Sequence, residues 1–369
     1  IEKKVKIDKA PILYENFRKA IRPVSAVIEY SKREISFENY KQKISVNKKS
    51  KFNSAIVGVG GFSQEILIPN LRKMSKKNII KTLCVKKPIS ALNLSNEYKD
   101  ITITNSFDEI LKDKTIDVVF ITTRHNLHFD YVIKALKRGK NVFCEKPLCV
   151  SKKELVQIKN FFLRNNKKNQ VLVTGFNRRF SESTKIIKDF INNEKTPVII
   201  NYTVNAEHIP YESWIYKKEG AGRNIGEGCH FYDLILHLMN DVCVDMKAIS
   251  LSNKVDSFSH NTDNFTVALK FSNGGIAQLN YLTYGAKNSF KELVEVRGYK
   301  RSLLSYDFKL IKLFEESKEK TLYTSVKSNK GHFEQYENFF NCLENKSFSI
   351  PIKDQIRAME ICFEVEEQI

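Results

Sequence analysis

Asn53-Ser54-Ala55-Ile56-Val57-Gly58-Val59-Gly60-Gly61-Phe62-Ser63 is the stretch on which the fold turns. Its apolar run reads as a buried strand that breaks into glycines, and residues 63–77 (SQEILIPNLRKMSKK) continue as a helix. Strand, glycine turn and helix in this order form the phosphate-binding corner of a dinucleotide fold. Gly58 permits the tight turn, Gly60 lets backbone approach a pyrophosphate, and the small Ser63 stands where a third glycine would allow close helix packing. The helix N-terminus then presents unpaired N–H groups and a positive dipole end to phosphate. Gly58, Gly60, Gly61, Phe62 and Ser63 are the first candidate cofactor-binding residues. A plain structural turn is the alternative.

Outward from this corner, strands and helices alternate. Residues 79–85 (IIKTLCV), 117–123 (DVVFITT) and 141–147 (NVFCEKP) read as strands, with helices at 106–114, 128–140 and 151–168. Gly139 sits where a left-handed helix cap is expected, and Ser151 with Glu154 forms a capping box. Such alternation predicts an α/β Rossmann domain with a doubly wound parallel sheet over 52–170. From residue 171 the strands lengthen: VLVTGFN, PVIINYTVNAE, NFTVALKF, GIAQLNYLTY, KELVEVRG and SLLSYDF are rich in β-branched and aromatic residues. SNGG at 272–275 is a hairpin signal. We expect a second α/β domain over 171–350 with a large, mostly antiparallel open sheet, and a closing helix over 351–369. Residues 227–241 (EGCHFYDLILHLMND) read as a helix between these strands. Ahead of the corner, residues 1–51 comprise a short amphipathic helix, a strand (VSAVIEY) and a polar, basic stretch of linker composition at 31–51.

Composition limits the function. At 369 residues and 42% hydrophobic content, two cores are the natural expectation. No stretch has the roughly 20 unbroken apolar residues of a membrane helix, and IEKKVKIDKAP lacks a signal-peptide core, so the chain reads as cytoplasmic, with no membrane partner. Its seven cysteines are scattered without metal-ligand spacing, which implies no metal site. The net charge of +19 invites nucleic acid, but the lysines are interspersed with Asn, Ser and Glu along the whole length. Solvated surface lysine is the reading, with attraction of an anionic substrate still open.

Several polar groups fall where such a fold does chemistry. The second strand ends Val85-Lys86-Lys87, with no carboxylate for ribose hydroxyls. Lys86 could meet the extra phosphate of NADP, or both lysines are solvated turn residues. The lean is toward NADP over NAD. Thr122, Thr123, His125 and His128 follow a parallel strand at its carboxyl edge, where cofactor contact is expected, although either histidine could be a satisfied structural residue. Glu145-Lys146-Pro147 ends another strand, and its lysine is directed toward the cleft, unless it is an ordinary turn lysine. Glu227, His230 and Asp233, spaced i, i+3, i+6, open an apolar helix on which a histidine can exchange a proton near neutral pH. Lys146, His230 and Glu227 are therefore the candidate catalytic residues. Arg178, Arg223, Asn224 and Asp233 are the candidate substrate ligands.

With these residues assembled, the chain resembles the Gfo/Idh/MocA oxidoreductases. The likeness rests on AIVGVGGFSQ, the EKP tripeptide, GFNRRF at 175–180, and the glycine-rich stretch before His230-x-x-Asp233. It implies a Rossmann domain joined to an α/β domain whose open sheet often serves homo-oligomerisation. It also implies catalysis by Lys146 and His230 on a carbohydrate-type small molecule. Many members carry an aspartate four residues before the histidine; here that position is Gly226, with Glu227 beside it. Arg124 likewise stands where many members have proline. A narrower likeness is to two-module enzymes in which a zinc-alcohol-dehydrogenase-like module precedes this one, a group associated with surface-polysaccharide synthesis. Residues 1–30 resemble the end of that upstream module, so the chain reads as a piece of a longer protein. The leading function is hydride transfer at a secondary alcohol or ketone of a sugar, cyclitol or sugar conjugate. The alternative, favoured by Gly226, is a cofactor-binding redox sensor or scaffold without turnover.

Overall fold

Two short strands, β1 (Lys3–Lys6) and β2 (Ala26–Glu29), pair in parallel within a small unit spanning residues 1–40, separate from the main unit at 41–369. The computed structural model describes residues 3–6, 11–12, 15, 25–29, 51–87, 101–164, 170–251, 262–345 and 350–369. Most of the expected N-terminal helix, and the linker over 31–50, lie outside the described residues.

In the main unit, β3 (Phe52–Val57), β4 (Asn78–Cys84), β5 (Thr102–Thr104), β6 (Val118–Ile121), β7 (Asn141–Cys144) and β8 (Leu172–Thr174) form one sheet. All its pairings are parallel, in the order β5-β4-β3-β6-β7-β8. Taken along the chain, that is the doubly wound order 3-2-1-4-5-6, which reverses direction between β3 and β6. Val118, Val119, Phe120 and Ile121 are all fully buried, as expected of a parallel strand covered on both faces. The connecting helices are α1 (Ile68–Lys73), α2 (Phe107–Lys112), α3 (His128–Lys137) and α4 (Lys152–Arg164). A π-turn at Ser63–Leu67 precedes α1, so the expected single helix begins with a wider turn. Glu154 accepts from the Val150 N–H at 2.9 Å and the Ser151 hydroxyl from the Glu154 N–H at 3.3 Å, the expected capping box one residue offset.

VLVTGFN does not open the antiparallel sheet as expected. Leu172–Thr174 pairs in parallel with Val142–Cys144 and completes the first sheet. Its short run is buried on both faces, so periodicity could not separate it from the strands that follow.

The second sheet is built on β9 (Ile199–Asn205), which follows helix α5 (Glu182–Asn192). Helix α6 (Cys229–Met239) comes next, and then β10 (Cys243–Ser250), β11 (Phe265–Phe271), β12 (Ile276–Leu282) and β13 (Glu292–Gly298). Finally come β14 (Arg301–Tyr306), β15 (Leu310–Glu315) and β16 (Lys318–Thr324). The order is β10-β11-β12-β9-β13-β14-β15-β16, antiparallel at every pairing except β12 with β9. Ile200, Tyr202 and Val204 alternate inward with Ala277, Leu279 and Tyr281 of β12. Phe231 of α6 packs on this face, its ring 5.3 Å from Tyr202 and 5.9 Å from Tyr281. Strands β10, β15 and β16 escaped the sequence reading because they lie at or beside the sheet's edges, where many residues stay solvated and no clean apolar alternation is needed.

Two C-terminal helices return to the parallel sheet. Helix α7 (His332–Asn345) lays Tyr336, Phe339 and Phe340 against Phe120, with Phe52 and Phe143 beside them, at ring separations of 5.1–6.3 Å. Helix α8 (Ile352–Glu366) is tied to the β8 edge by the fully buried Gln355. Its Oε1 accepts from the Thr174 N–H (2.9 Å) and hydroxyl (2.8 Å), and its Nε2 donates to the Leu172 (3.0 Å) and Ile350 (2.8 Å) carbonyls. Among the described residues no helix is long and apolar enough to cross a membrane.

Replacing Gln355 by Leu keeps the volume but strands four buried polar groups. We expect a loss of about 2–4 kcal/mol in urea unfolding, given roughly 1–3 kcal/mol per orphaned group and partial relaxation. A midpoint unchanged from wild type would show that the amide contributes nothing to the α8–β8 junction.

Candidate active site

The carboxyl ends of β3, β6 and β7 open onto a cleft of about 970 Å³ at the point where the strand order reverses. Gly58 has φ +92°, and a Cβ there would come within 2.8 Å of the Thr122 carbonyl and the Thr123 amide. The end of β6 thus demands a glycine at this corner. Gly60 faces open space, with nothing within 4 Å of its ideal Cβ. That bare approach, over a helix N-terminus, fits a pyrophosphate. Gly61 and Phe62 line the cleft. Ser63 does not: its buried hydroxyl donates to the Gly58 carbonyl at 2.8 Å and lies 2.7 Å from the Thr122 hydroxyl, so it braces the turn from behind. Exposed Lys86 and Lys87 border the cleft after β4.

Thr122, Thr123, His125 and His128 all line the cleft. His128 is fully buried, its Nδ1 2.7 Å from the Pro147 carbonyl and its Nε2 3.1 Å from that of Thr123, which occupies both ring nitrogens. His125 is held differently. Its Nδ1 lies 2.7 Å from the Gly220 carbonyl, which can only accept, so Nδ1 carries the hydrogen and Nε2 is a bare acceptor. The ring stands edge-on to Trp214 at 4.9 Å, and the Arg124 guanidinium covers the same indole at 3.9 Å. Burial, reinforced by the Lys146 charge, lowers the His125 pKa to about 3, so the ring is neutral.

Glu145 and Lys146 project from the end of β7. Glu145 lines the cleft, with its Oε1 buried and unpartnered, and burial raises its pKa to about 7. Gly175 lets backbone pass there, since a Cβ would meet that carboxylate at 2.8 Å. The Lys146 ammonium donates to the Gly226 carbonyl at 2.9 Å. Gly226 has its own steric reason: a Cβ would lie 3.0 Å from His125 Cε1. A backbone dipole therefore stands beside the lysine, at the position where the family resemblance implies an aspartate.

His230, 8% exposed in the first turn of α6, has an unpartnered Nδ1. Burial first, then the charges of Arg178 and Lys146, push its pKa well below the usual histidine range, so it too is neutral. Glu227 reaches the cleft and accepts from the Tyr281 hydroxyl at 2.6 Å, 3.6 Å from Arg223. Asp233 stays outside the lining. It grips Arg179 at 2.9 and 2.5 Å, and burial raises its pKa to about 6. Two steps of three residues carry a side chain about 120° around a helix, and the π-turn at Asn224–Gly228 widens the preceding turn, which separates Asp233 from Glu227.

Arg178 lines the cleft, its guanidinium bidentate on Glu292 at 2.8 and 2.8 Å. Arg223 and Asn224 lie behind the wall and not in it. Arg223 donates to the Tyr281 hydroxyl (2.6 Å) and the Glu207 carbonyl (3.1 Å). Asn224 donates to Cys362 O (2.9 Å) and Glu366 (3.0 Å) and accepts from Tyr232 (2.7 Å). The bonds of Arg223, Asn224 and Asp233 hold α6 in place, while Arg223 Nη1, 3.6 Å from Glu227, is buried without a hydrogen-bond partner. Trp214, Lys291, Glu292, Lys330 and His332 join the lining unforeseen. They come from loops and strand ends distant in sequence, and only GFNRRF, through Asn177 and Arg178, gave a local signal for this region.

The site thus combines a doubly wound dinucleotide fold, a histidine on the helix packed against the second sheet, and a strand-end lysine between them. Residues 52–175 match the model of the Gfo/Idh/MocA oxidoreductase family, described as an NAD-binding Rossmann fold. It is 27% identical to 2,7-anhydro-N-acetylneuraminate hydratase of Escherichia coli (strain K12) over 258 residues, 68% of this chain and 66% of that protein. It is 25% identical to myo-inositol 2-dehydrogenase of Thermotoga maritima over 213 residues, 57% of this chain and 60% of that protein. The match thus spans less than two thirds of either relative's length. In fold it is similar to levoglucosan dehydrogenase in complex with NADH and levoglucosan, with a TM-score of 0.73, 18% identity, and 86% of this chain and 97% of that chain covered.

The histidine electrostatics predict an acid-sensitive fold. His125 takes up a proton in the unfolded chain below pH 6.5 but in the native state only near pH 3. Protons therefore bind the unfolded state more tightly across that window, and stability falls as the pH drops through it. Replacing His125 by Asn should remove about 1–2 kcal/mol of the wild-type loss between pH 7 and pH 5 in denaturant titrations. Equal losses in both proteins would show that this ring titrates normally.

Proposed function

We propose that the chain is an NAD(P)-dependent oxidoreductase that moves a hydride to or from a secondary alcohol or ketone of a sugar, cyclitol or sugar conjugate. The observation that carries the reading is the Lys146 ammonium, fixed on the Gly226 carbonyl at 2.9 Å, in one cleft with the neutral, buried His230. Gly58, Gly60, Gly61 and Phe62 would hold the pyrophosphate, and Thr122, Thr123, His125 and Glu145 the remainder of the dinucleotide. When bound, the nicotinamide supplies the hydride acceptor or donor.

In the oxidative direction Lys146 donates a hydrogen bond to the substrate oxygen and stabilises it as it becomes a carbonyl. His230 takes the hydroxyl proton at Nε2, since its Nδ1 is sealed in protein. A neutral imidazole is the form that can accept it. Glu227, held by Tyr281, faces the substrate and orients it. Residues 52–170 thus bind the cofactor and 171–350 supply the substrate wall. Lys86, at a strand end whose sequence Val85-Lys86-Lys87 holds no carboxylate, supports use of NADP. The likeness to an inositol dehydrogenase and an anhydro-N-acetylneuraminate hydratase supports a polyhydroxylated substrate. Gly226 favours one other reading, a cofactor-binding sensor without turnover, because Lys146 lacks a carboxylate partner there.

Fluorescence titration with NADH and NADPH, followed by turnover of a sugar and cyclitol panel, separates the readings. We expect micromolar binding of at least one cofactor. Turnover should fall by about 10²–10⁴ in His230→Asn and at least as far in Lys146→Ala, the range of a lost proton-transfer group. Binding without turnover of any panel member would favour the sensor. Binding of neither cofactor would sink both readings.

Replacing Lys86 by Ala should weaken NADPH binding about tenfold, the order of one charge-assisted contact, while leaving NADH within about twofold. Equal effects on both cofactors would remove the case for NADP.

A further inference from the structure

The substrate end of this cleft carries more positive charge than its own carboxylates balance. Seven lysines and arginines line the whole cleft against three glutamates. Beside His230, Glu292 is only 1% exposed and already saturated: it takes two bonds from Arg178, one from Lys330 and one from the Tyr202 hydroxyl at 2.5 Å. A carboxylate offers about four acceptor positions, so none is left over. Two cations on one anion leave this cluster with a net positive charge, although the Arg178 side chain is only 11% exposed. Lys291, next in the chain to Glu292 and also in the cleft lining, has no carboxylate partner among the described residues. Its backbone N–H and that of Glu292 both donate to Asp307, at 2.7 and 2.8 Å, which fixes where the two side chains leave β13. Glu227, the other carboxylate at this end, is committed to Tyr281 and Arg223.

For Arg178 and Lys330, whose side chains are 11% and 22% exposed, uncompensated charge held out of water is costly and the cost falls when an anion arrives; the exposed Lys291 adds to the same field. We propose that the substrate bears an anionic group, a carboxylate or a phosphate, and that Arg178, Lys291 and Lys330 hold it beside His230. This rests on the oxidoreductase reading of the same cleft and narrows its substrate class from sugars in general to acidic sugars or sugar phosphates. Burial, with the positive charges of Arg178, Lys330 and Lys146 adding to it, holds His230 and His332 neutral, so neither imidazole adds charge to the cluster. Arg178 can turn its remaining N–H edge to the ligand while Glu292 keeps the guanidinium plane fixed, a preorganised fork for carboxylate or phosphate.

The test compares matched pairs with the NADH-loaded and the cofactor-free protein: D-glucuronate against D-glucose, D-galacturonate against D-galactose, and D-glucose 6-phosphate against D-glucose. Binding is read by calorimetry and, where turnover occurs, by kcat/KM. We expect the acidic member of at least one pair to be favoured by about tenfold or more at low salt, as for a charge-assisted contact, and the ratio to shrink at high salt. Lys291→Met, at an exposed position with no folding role, should bring the ratio close to one, and Lys330→Met should do the same with its melting temperature checked alongside. Which of the uronates and the phosphate is preferred distinguishes a carboxylate from a phosphate ligand. The proposal is overturned if no acid outperforms its neutral partner, whether or not either binds. It is equally overturned if the variants weaken NADH or NADPH instead, which would assign these cations to the cofactor. Loss of NADH binding by the wild type would fail the oxidoreductase reading alone, because acid preference is also read without cofactor.

Discussion

A single hydrogen bond, from the Lys146 ammonium to the Gly226 carbonyl, joins the end of the parallel sheet to the turn that launches the His230 helix. With the neighbouring bond from His125 to Gly220, it brings together groups 80 and 95 residues apart in the chain. Each contact needs a particular backbone. The strand end must deliver the lysine, and the glycine-rich segment must present bare carbonyls. Gly226 can do so because it has no Cβ to press on His125. A carbonyl partner neutralises no charge, so the ammonium keeps its full positive charge for whatever enters the cleft. A carboxylate in its place would have lowered that potential and raised the proton affinity of both nearby imidazoles.

Burial sorts the remaining charges into two tasks. Arg178 and Arg179 are consecutive yet serve opposite sides of the wall. Arg178 faces the cleft on Glu292, while Arg179 faces inward on Asp233, with Asp354 of α8 at 3.6 Å. A buried ion pair gains little net stability, because desolvation offsets most of the Coulomb attraction. What the Arg179–Asp233 pair provides is position: it links the GFNRRF segment to α6, and so sets the rotation at which His230 meets the cleft. Gln355 and Asn224 play the same part with neutral groups, connecting α8 to β8 and to the start of α6.

Much of this was legible in the residues. The Gly58–Ser63 turn, flanked by an apolar strand and a helix, identified the dinucleotide fold because glycine and burial are local requirements. Lys146 stood out because a strand ending in Glu-Lys-Pro directs its lysine off the sheet edge. His230 and Glu227 stood out because they are polar residues at the head of an apolar helix. Helix spacing misled at Asp233, where a π-turn altered the preceding register, and composition misled at Leu172–Thr174, where a three-residue buried strand looks the same in either sheet. Arg223 and Asn224 had the right chemistry and neighbourhood, but their hydrogen bonds are spent on Glu207, Cys362 and Tyr281. Nothing local distinguishes a polar group spent on packing from one held for a ligand.

The sequence by itself determined the class of fold, the glycine corner and the candidate catalytic side chains, because each follows from short-range rules of strand burial, turn geometry and helix periodicity. Only the tertiary structure decided which polar groups share the cleft. It alone brought Glu292, Lys330, His332 and Trp214 to the cleft wall and seated Lys146 on a carbonyl. It alone left the positive charge uncompensated. The physical reason is that these contacts join residues about 150 positions apart and more, and their energies depend on burial that no local pattern of residues encodes.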